Sequence, residues 1–207
     1  MSSFNPSRLR KYFIMGSQNV EGNPVTVLEQ AVQAGITIFQ FREKGPGSLS
    51  GDSKLKLGEE LRTVCRVNQI PFIVNDDVAL VDKLDADGIH VGQDDQSVKE
   101  LREMFPEKII GLSVSNQNEL NNSPLEYVNY IGAGPVFPTT TKVDAKSTVD
   151  LDWIRFLRKK FPKFPVVGIG GIDTTNAKRV LEAGADGVSF ISAVTKAENI
   201  KEAVNKL

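Results

Sequence analysis

The 207-residue sequence has one cysteine, one histidine and no apolar run long enough to span a bilayer. A single cysteine excludes both a disulfide framework and a thiolate metal site, so Cys65 is expected to pack in the core. The segment from Met1 to Lys11 carries positive charge but lacks the apolar stretch of a signal peptide. These absences favour a cytoplasmic protein.

The chain also lacks an excess of charge of either sign, with 25 Lys and Arg against 26 Asp and Glu. This balance gives no electrostatic signature of binding to nucleic acid or to an anionic membrane, so any cluster of cations must be local. Homo-oligomerisation stays open. The length suits one domain and no linker is visible, so residues 1–207 are expected to form a single domain.

Short β-rich apolar runs alternate with segments of helical period, which is typical of repeated βα units around a parallel sheet. Strands are predicted at Lys11–Met15, Ile36–Phe41, Pro71–Asn75, Gly88–Val91, Ile109–Val114, Tyr127–Ala133, Pro165–Gly168 and Gly187–Ile191. Helices are predicted at Pro24–Ala34, Ser53–Asn68, Val78–Leu84, Ser97–Phe105, Gln117–Asn122, Leu151–Lys160, Thr174–Ala183 and Lys196–Asn205. Eight such units predict an α/β fold of the (β/α)8 TIM barrel type, and an open doubly wound sheet is the alternative.

In a barrel, functional side chains gather at the C-terminal ends of the strands. The second predicted strand ends in Gln40, Arg42 and Lys44, which share one side of an extended chain because strand side chains alternate. Arg and Lys bind phosphate oxygens, so this strand end is interpreted as an anion clamp. The alternative is a solvated strand end at which Glu43 neutralises its neighbours.

Carboxylates follow the next two predicted strands, in Asn75-Asp76-Asp77 and Gly92-Gln93-Asp94-Asp95. Beside a cationic clamp they suit Mg2+, which prefers oxygen ligands and also holds diphosphate oxygens. Helix capping is the alternative for one carboxylate of each group, since Asp77 and Asp95 both precede a helix.

A second anion site is predicted after strands seven and eight, in Val166–Ile172 and Phe190–Ala193. Glycine backbone and the start of a helix form the recurrent phosphate cup of barrel enzymes, although a tight turn would also use glycines. Two anion sites imply two phosphorylated substrates. The sole histidine, His90, is expected to be a packed, hydrogen-bonded barrel residue, so chemistry that needs no protein base fits best.

Taken together, the motifs resemble the thiamine phosphate synthase family over essentially the whole chain. The resemblance rests on Gln40-Phe41-Arg42-Glu43-Lys44, Val74-Asn75-Asp76-Asp77, Gly88-Ile89-His90-Val91-Gly92-Gln93-Asp94-Asp95, Gly111-Leu112-Ser113, Gly134-Pro135-Val136-Phe137-Pro138-Thr139-Thr140-Thr141-Lys142, Gly168-Ile169-Gly170-Gly171-Ile172 and Val188-Ser189-Phe190-Ile191-Ser192.

The resemblance implies that hydroxymethylpyrimidine diphosphate condenses with a thiazole phosphate, or with its carboxylated form, through a pyrimidine methyl cation. It implies that the pyrimidine diphosphate is held by Gln40, Arg42, Lys44, Asn75, Ser113 and Lys142, with Mg2+ on Asp76 and Asp95. It places the thiazole phosphate on Thr139, Thr140, Thr141, Gly170, Gly171, Ile191 and Ser192. The predicted catalytic residues are Arg42, Lys44, Ser113 and Lys142.

One departure from the pattern bears on the alternatives. Relatives, and above all the related thiazole tautomerases, often carry a histidine where this chain has Ser115. A tautomerase needs a proton shuttle there, which counts against an isomerase, and a silent thiamine phosphate binding barrel would have no use for the metal carboxylates. The polar segment Thr139–Ser147 is predicted to close over the substrates.

Overall fold

A computed structural model describes residues 4–139 and 148–207. Parallel strands form a closed barrel in which each pairs with the next and the last pairs with the first. The strands are β1 Lys11–Met15, β2 Ile38–Phe41, β3 Phe72–Asn75, β4 Gly88–Val91, β5 Ile109–Val114, β6 Tyr130–Ala133, β7 Val166–Gly168 and β8 Gly187–Phe190.

Helices pack around the outside of the barrel. They are α1 Pro24–Gln33, α2 Gly51–Val67, α3 Val78–Lys83, α4 Val98–Met104, α5 Gln117–Asn122, α6 Asp150–Lys160, α7 Ala177–Glu182, α8 Ser192–Thr195 and α9 Ile200–Lys206. Short 3-10 turns cover Pro6–Leu9, Ser17–Asn19 and Leu125–Tyr127. Within the described ranges, every helix is too short or too polar to cross a membrane.

The predicted (β/α)8 barrel is confirmed, and the pairing of β1 with β8 excludes the open sheet. The main differences lie at element ends. The sixth strand begins at Tyr130 instead of Tyr127, because the chain after Pro124 first forms a 3-10 turn. The last predicted helix, Lys196–Asn205, begins only at Ile200, because Asn199 caps its start by accepting a hydrogen bond from the Glu202 N–H, and the short helix α8 precedes it at Ser192–Thr195.

Alternation along each strand separates the barrel interior from the layer beneath the helices. On β1, Tyr12 and Ile14 belong to the small interior cluster, whereas Phe13 and Met15 belong to the large cluster that the helices cover. Each strand is therefore buried on both faces, as expected for a parallel sheet. The strand ends carry the polar side chains.

A repeated hydrogen bond marks the opposite end of the barrel. A polar side chain directly before each even-numbered strand accepts a hydrogen bond from a backbone N–H near the start of the preceding strand. The pairs are Thr37 with Lys11, Asp87 with Phe72, Asn129 with Ile110, and Asp186 with Val166, at 2.7 to 2.8 Å. Asp87, Asn129 and Asp186 also accept from an arginine on the preceding even-numbered helix, namely Arg62, Arg102 and Arg158. These contacts, here called the strand-start clamps, satisfy backbone donors at the bottom of the barrel.

Candidate active site

A cavity of about 290 Å3 opens at the C-terminal ends of the strands. Every predicted site residue within the described ranges lines it: Gln40, Arg42, Lys44, Asn75, Asp76, Asp95, Ser113, Thr139, Gly170, Gly171, Ile191 and Ser192. Thr140, Thr141 and Lys142 lie outside the described residues, as does the predicted closing segment beyond Thr139. The predicted groups therefore share one cavity, and their roles stay predictions.

The loop after β2 is fixed by the residue between the two cations. Glu43 is buried, and its carboxylate accepts hydrogen bonds from Ser17 N–H at 2.7 Å, Ser17 Oγ at 2.5 Å and Leu49 N–H at 2.6 Å. These three bonds turn the carboxylate away from the cavity that Arg42 and Lys44 line. Glu43 thus anchors the loop, and Arg42 beside it is buried rather than solvated.

The two carboxylates after β3 have different partners. Asp76 lines the cavity, and its Oδ2 lies 2.6 Å from Lys44 Nζ. Asp77 stands at the N-cap position of α3 without a capping hydrogen bond from its side chain, and pairs instead with Lys54 Nζ at 2.7 Å. The capping alternative is therefore wrong for Asp77. Asp76 alone of this pair faces the cavity.

Asp95 lines the cavity together with its neighbour Asp94. Its Oδ2 accepts the Gly92 N–H at 2.7 Å, while Ser97 caps α4, so the helix-capping alternative is wrong here as well. No group of three or more His, Cys, Asp or Glu side chains that could hold a metal occurs in the part of the chain that the structure describes. Two carboxylates nonetheless fit Mg2+, which commonly takes one or two carboxylates and completes its shell with phosphate oxygens and water.

The glycines after β7 allow a close backbone approach between two loops. Gly170 and Gly171 have φ of +95° and +62°, a region that L side chains rarely adopt. A Cβ at Gly171 would also meet Pro138 O and lie 2.8 Å from Phe137 Cβ. These glycines thus seat the loop after β6 against the loop after β7, in addition to lining the cavity.

The end of β8 leads directly into α8, a short helix that begins at Ser192. Ile191 and Ser192 line the cavity together with Gly170 and Gly171. Backbone N–H groups of the two loops can therefore face an anion from the same wall, as in the phosphate cups of other barrels.

Buried polar side chains below the cavity were only partly anticipated. His90 is packed and hydrogen-bonded as predicted, with Nδ1 3.0 Å from Tyr130 Oη and Nε2 2.9 Å from Ser113 Oγ. Tyr12 Oη lies 2.7 Å from Tyr130 Oη and accepts from Gln40 Nε2 at 2.8 Å. Burial raises the pKa of both tyrosines. Strand alternation could have placed Tyr12 and Tyr130 inside the barrel, but not in one hydrogen-bonded chain.

Two further cavity residues, Gln93 and Ser189, were not predicted as site residues from the sequence. Gln93 donates to Ser113 O at 2.8 Å, which ties the loop after β4 to β5. Ser189 donates to Gly168 O at 3.0 Å and lines the floor. Ser115 also lines the cavity, and its N–H donates to Glu119 Oε2 at 2.7 Å.

The chain is similar to known proteins in both sequence and fold. A family model described as thiamine monophosphate synthase matches residues 11–194. Thiamine-phosphate synthase of Oceanobacillus iheyensis is 58% identical over 204 residues, covering 99% of each chain. Thiamine-phosphate synthase 1 of Streptococcus pneumoniae is 47% identical over 205 residues, covering 99% of this chain and 98% of the relative.

Similarity in fold to solved structures leads to the same family as similarity in sequence. Thiamine phosphate pyrophosphorylase from Pyrococcus furiosus superposes with a TM-score of 0.85 at 33% identity, covering 98% of this chain and 95% of that one. A 3-hexulose-6-phosphate synthase, at 13% identity and a TM-score of 0.61, shares the fold alone. The family model, the relatives and the superposed fold together show that the chain belongs to the thiamine monophosphate synthase family, transferases of thiamine biosynthesis.

Proposed function

We propose that the cavity binds 4-amino-2-methyl-5-hydroxymethylpyrimidine diphosphate and 4-methyl-5-(2-hydroxyethyl)thiazole phosphate together and joins them into thiamine phosphate. The observation that carries this proposal is the meeting, in one cavity, of the β2 cations with the carboxylates of Asp76 and Asp95 and with the β7 and β8 loops. The first group suits a diphosphate and the second a monophosphate.

The diphosphate end is assigned to Arg42 and Lys44, with Asn75 and Lys142 as further contacts, and the pyrimidine ring to Gln40 and Ser113. Arg42 is largely buried, so its guanidinium acts on an anion with little screening by solvent. Lys44 is pre-positioned by its ion pair with Asp76. As the C–O bond breaks, these cations stabilise the negative charge that collects on the leaving diphosphate.

Mg2+ is the proposed cofactor, held by Asp76 and Asp95. When bound, it supplies charge neutralisation for the diphosphate oxygens. Asp95 is held in place through the Gly92 N–H bond, and Asp76 through its own N–H, which donates to His90 O at 2.9 Å. Both residues are thus held in place before Mg2+ binds, so binding of the ion needs no large rearrangement of the loops.

The thiazole phosphate is assigned to Thr139, Thr140 and Thr141 with the Gly170–Gly171 and Ile191–Ser192 loops. In the proposed reaction the electron pair of the C–O bond leaves with diphosphate, and the lone pair of the thiazole nitrogen then forms the new C–N bond. A carboxylated thiazole would in addition lose carbon dioxide. No side chain has to remove a proton in the bond-forming step, which agrees with a cavity whose sole imidazole is engaged by two hydroxyl groups.

The test is a product assay by mass spectrometry with purified protein and Mg2+. Thiamine phosphate and diphosphate are expected in equal amounts when both substrates are present, and thiamine phosphate is expected to be absent when either is omitted. An isomerised thiazole without diphosphate release would support the tautomerase instead. Binding of thiamine phosphate without any turnover would support the silent binding barrel.

A further inference from the structure

A chain of hydrogen-bonded side chains crosses the barrel interior beneath the cavity. It runs from Gln40 through Tyr12, Tyr130 and His90 to Ser113, with successive distances of 2.8, 2.7, 3.0 and 2.9 Å. The two ends line the cavity, whereas both tyrosines are at most 1% exposed. We call this set the polar chain. It connects two predicted contacts of the pyrimidine that come from strands β2 and β5.

The polar chain occupies space that is available only because Gly111 and Gly132 have no side chains. A Cβ at Gly111 on β5 would collide with the Tyr130 ring and lie 2.5 Å from His90 Nδ1. A Cβ at Gly132 on β6 would lie 3.0 Å from His90 Cε1. Glycine weakens a strand interior, so its use at both positions favours a requirement for the imidazole and phenol rings at this place.

The orientation of the Gln40 amide sets one direction for the donors and acceptors of the polar chain. Gln40 Nε2 donates to Tyr12 Oη, so the single proton of Tyr12 is left for Tyr130. The remaining contacts by themselves fit either direction, and the Gln40 donor sets it: Tyr130 would then donate to His90 Nδ1, and His90 Nε2–H to Ser113 Oγ. Both phenols keep their protons, since burial raises their pKa values, and each can therefore donate only once.

This direction determines what the two ends offer to a ligand. Ser113 has its own proton left to donate into the cavity, and the Gln40 carbonyl oxygen is left to accept. Reversal of the chain would exchange these roles at both ends together. Whether Gln40 accepts or donates toward the cavity is therefore coupled to whether Ser113 donates or accepts there.

We propose that Tyr12, Tyr130 and His90 are positioning residues that fix this direction, and thereby make the cavity select a 4-aminopyrimidine over its 4-oxo counterpart. An aminopyrimidine edge offers an N–H donor and a neighbouring ring-nitrogen acceptor, and the oxo form offers an acceptor and a donor in the opposite order. The inference rests on the proposed function, which supplies the aminopyrimidine. A polar site rejects a ligand that leaves its buried groups unpaired.

The direction can be measured without any ligand. His90 is the only histidine in the sequence, so 15N-histidine labelling yields the NMR signals of this ring alone. Neutral imidazole with the proton on Nε2 is the expected state near neutral pH. A proton on Nδ1, or an imidazolium ion, would overturn the proposal whatever the enzyme turns over.

Selectivity provides the second test. Tyr130→Phe and Tyr12→Phe keep the rings and remove the hydroxyl groups, and Tyr127→Phe, on the outer core, is the matched control. Titration with the amino and the oxo pyrimidine diphosphates should show the preference for the amino form falling about tenfold or more in the first two variants, and unchanged in the third. Equal weakening of both ligands, or an unchanged preference, would contradict the proposal.

A double-mutant cycle separates positioning from packing. If Tyr130 acts through Ser113, Tyr130→Phe should alter the preference much less in a Ser113→Ala background than in the wild type. Additive effects would contradict the coupling. Absence of thiamine phosphate formation by a wild-type protein with the expected His90 tautomer would instead count against the proposed function and not against the chain's direction.

Discussion

At the scale of single residues, neighbouring identical side chains have different surroundings. Asp76 faces the cavity and pairs with Lys44, whereas Asp77 pairs with Lys54 on α2. Asp76 also has φ of +58°, a backbone conformation that Asn tolerates far better than Ala. Asn is therefore the substitution that removes the charge with the least backbone strain.

We expect Asp76→Asn to lower turnover on the order of a hundredfold, because charge stabilisation of the leaving diphosphate is lost. Asp77→Asn is the matched control and should stay near the wild-type rate. The measurement is diphosphate release at saturating Mg2+ and substrates. Equal rates for the two variants would contradict the assignment of Asp76.

The phosphate cup is tested best by a substitution that leaves the backbone alone. Ser192→Ala should weaken binding of the thiazole phosphate by about tenfold, with little effect on the pyrimidine diphosphate, because one hydroxyl contact to the phosphate is lost. Titration of each ligand separately measures this. Equal weakening of both ligands would be evidence against separate sites.

Gly171→Ala is expected to behave differently from Ser192→Ala. Its Cβ would collide with the loop after β6, so thermal stability should fall along with thiazole phosphate binding. Differential scanning calorimetry and titration distinguish the two variants. An unchanged melting temperature in Gly171→Ala would contradict the packing of these loops.

At the scale of elements, the strand-start clamps hold each even-numbered strand against the preceding one, far from the cavity. Asp186 accepts from Val166 N–H at 2.8 Å and from Arg158 Nη2 at 2.7 Å, and it is only partly exposed. Its removal would leave a strand N–H and a guanidinium without this partner. Such clamps contribute to stability without contacting substrate.

Asp186→Ala should therefore lower the free energy of unfolding by about 2 kcal/mol while turnover stays near the wild-type value. Glu182→Ala is a control, since its ion pair with Lys178 is exposed and should contribute about 0.5 kcal/mol or less. Urea denaturation measures both. A loss of activity without a loss of stability in Asp186→Ala would contradict this role.

Element order could be predicted from sequence because each strand is a short apolar run set off by polar strand ends. Element ends were less predictable, because they depend on individual caps such as Asn199 and on the 3-10 turn after Pro124. The clamps could not be foreseen either. Asp87 and Asp186 read as ordinary turn residues until the preceding helix brings an arginine to each.

At the scale of the whole molecule, closure of the barrel brings together side chains that are far apart in sequence. Gln40 and Ser192 meet in one cavity only because β8 returns to β1. The sequence indicated the cavity residues because strand ends of a parallel barrel share one face. It could not indicate the polar chain, whose existence depends on ring positions allowed by Gly111 and Gly132.

The reactivity of the single thiol, that of Cys65, measures global unfolding of the protein. Cys65 is fully buried in α2, and burial raises the pKa of its thiol. We expect a thiol reagent to label the native protein only as fast as it unfolds, since a buried thiol is inert. Labelling rates measured against urea concentration should follow the unfolding equilibrium. Rapid labelling without urea would contradict the packing of α2 against the barrel.

Initial-rate kinetics test the central claim, that one cavity holds both phosphorylated substrates at once, most directly. Diphosphate release is measured while the pyrimidine diphosphate and the thiazole phosphate are varied together. If the pyrimidine methyl cation is captured within a shared cavity, the double-reciprocal lines should intersect. Diphosphate release without the thiazole phosphate should then be much slower than with it. Parallel lines, or equally fast diphosphate release without the thiazole, would contradict it.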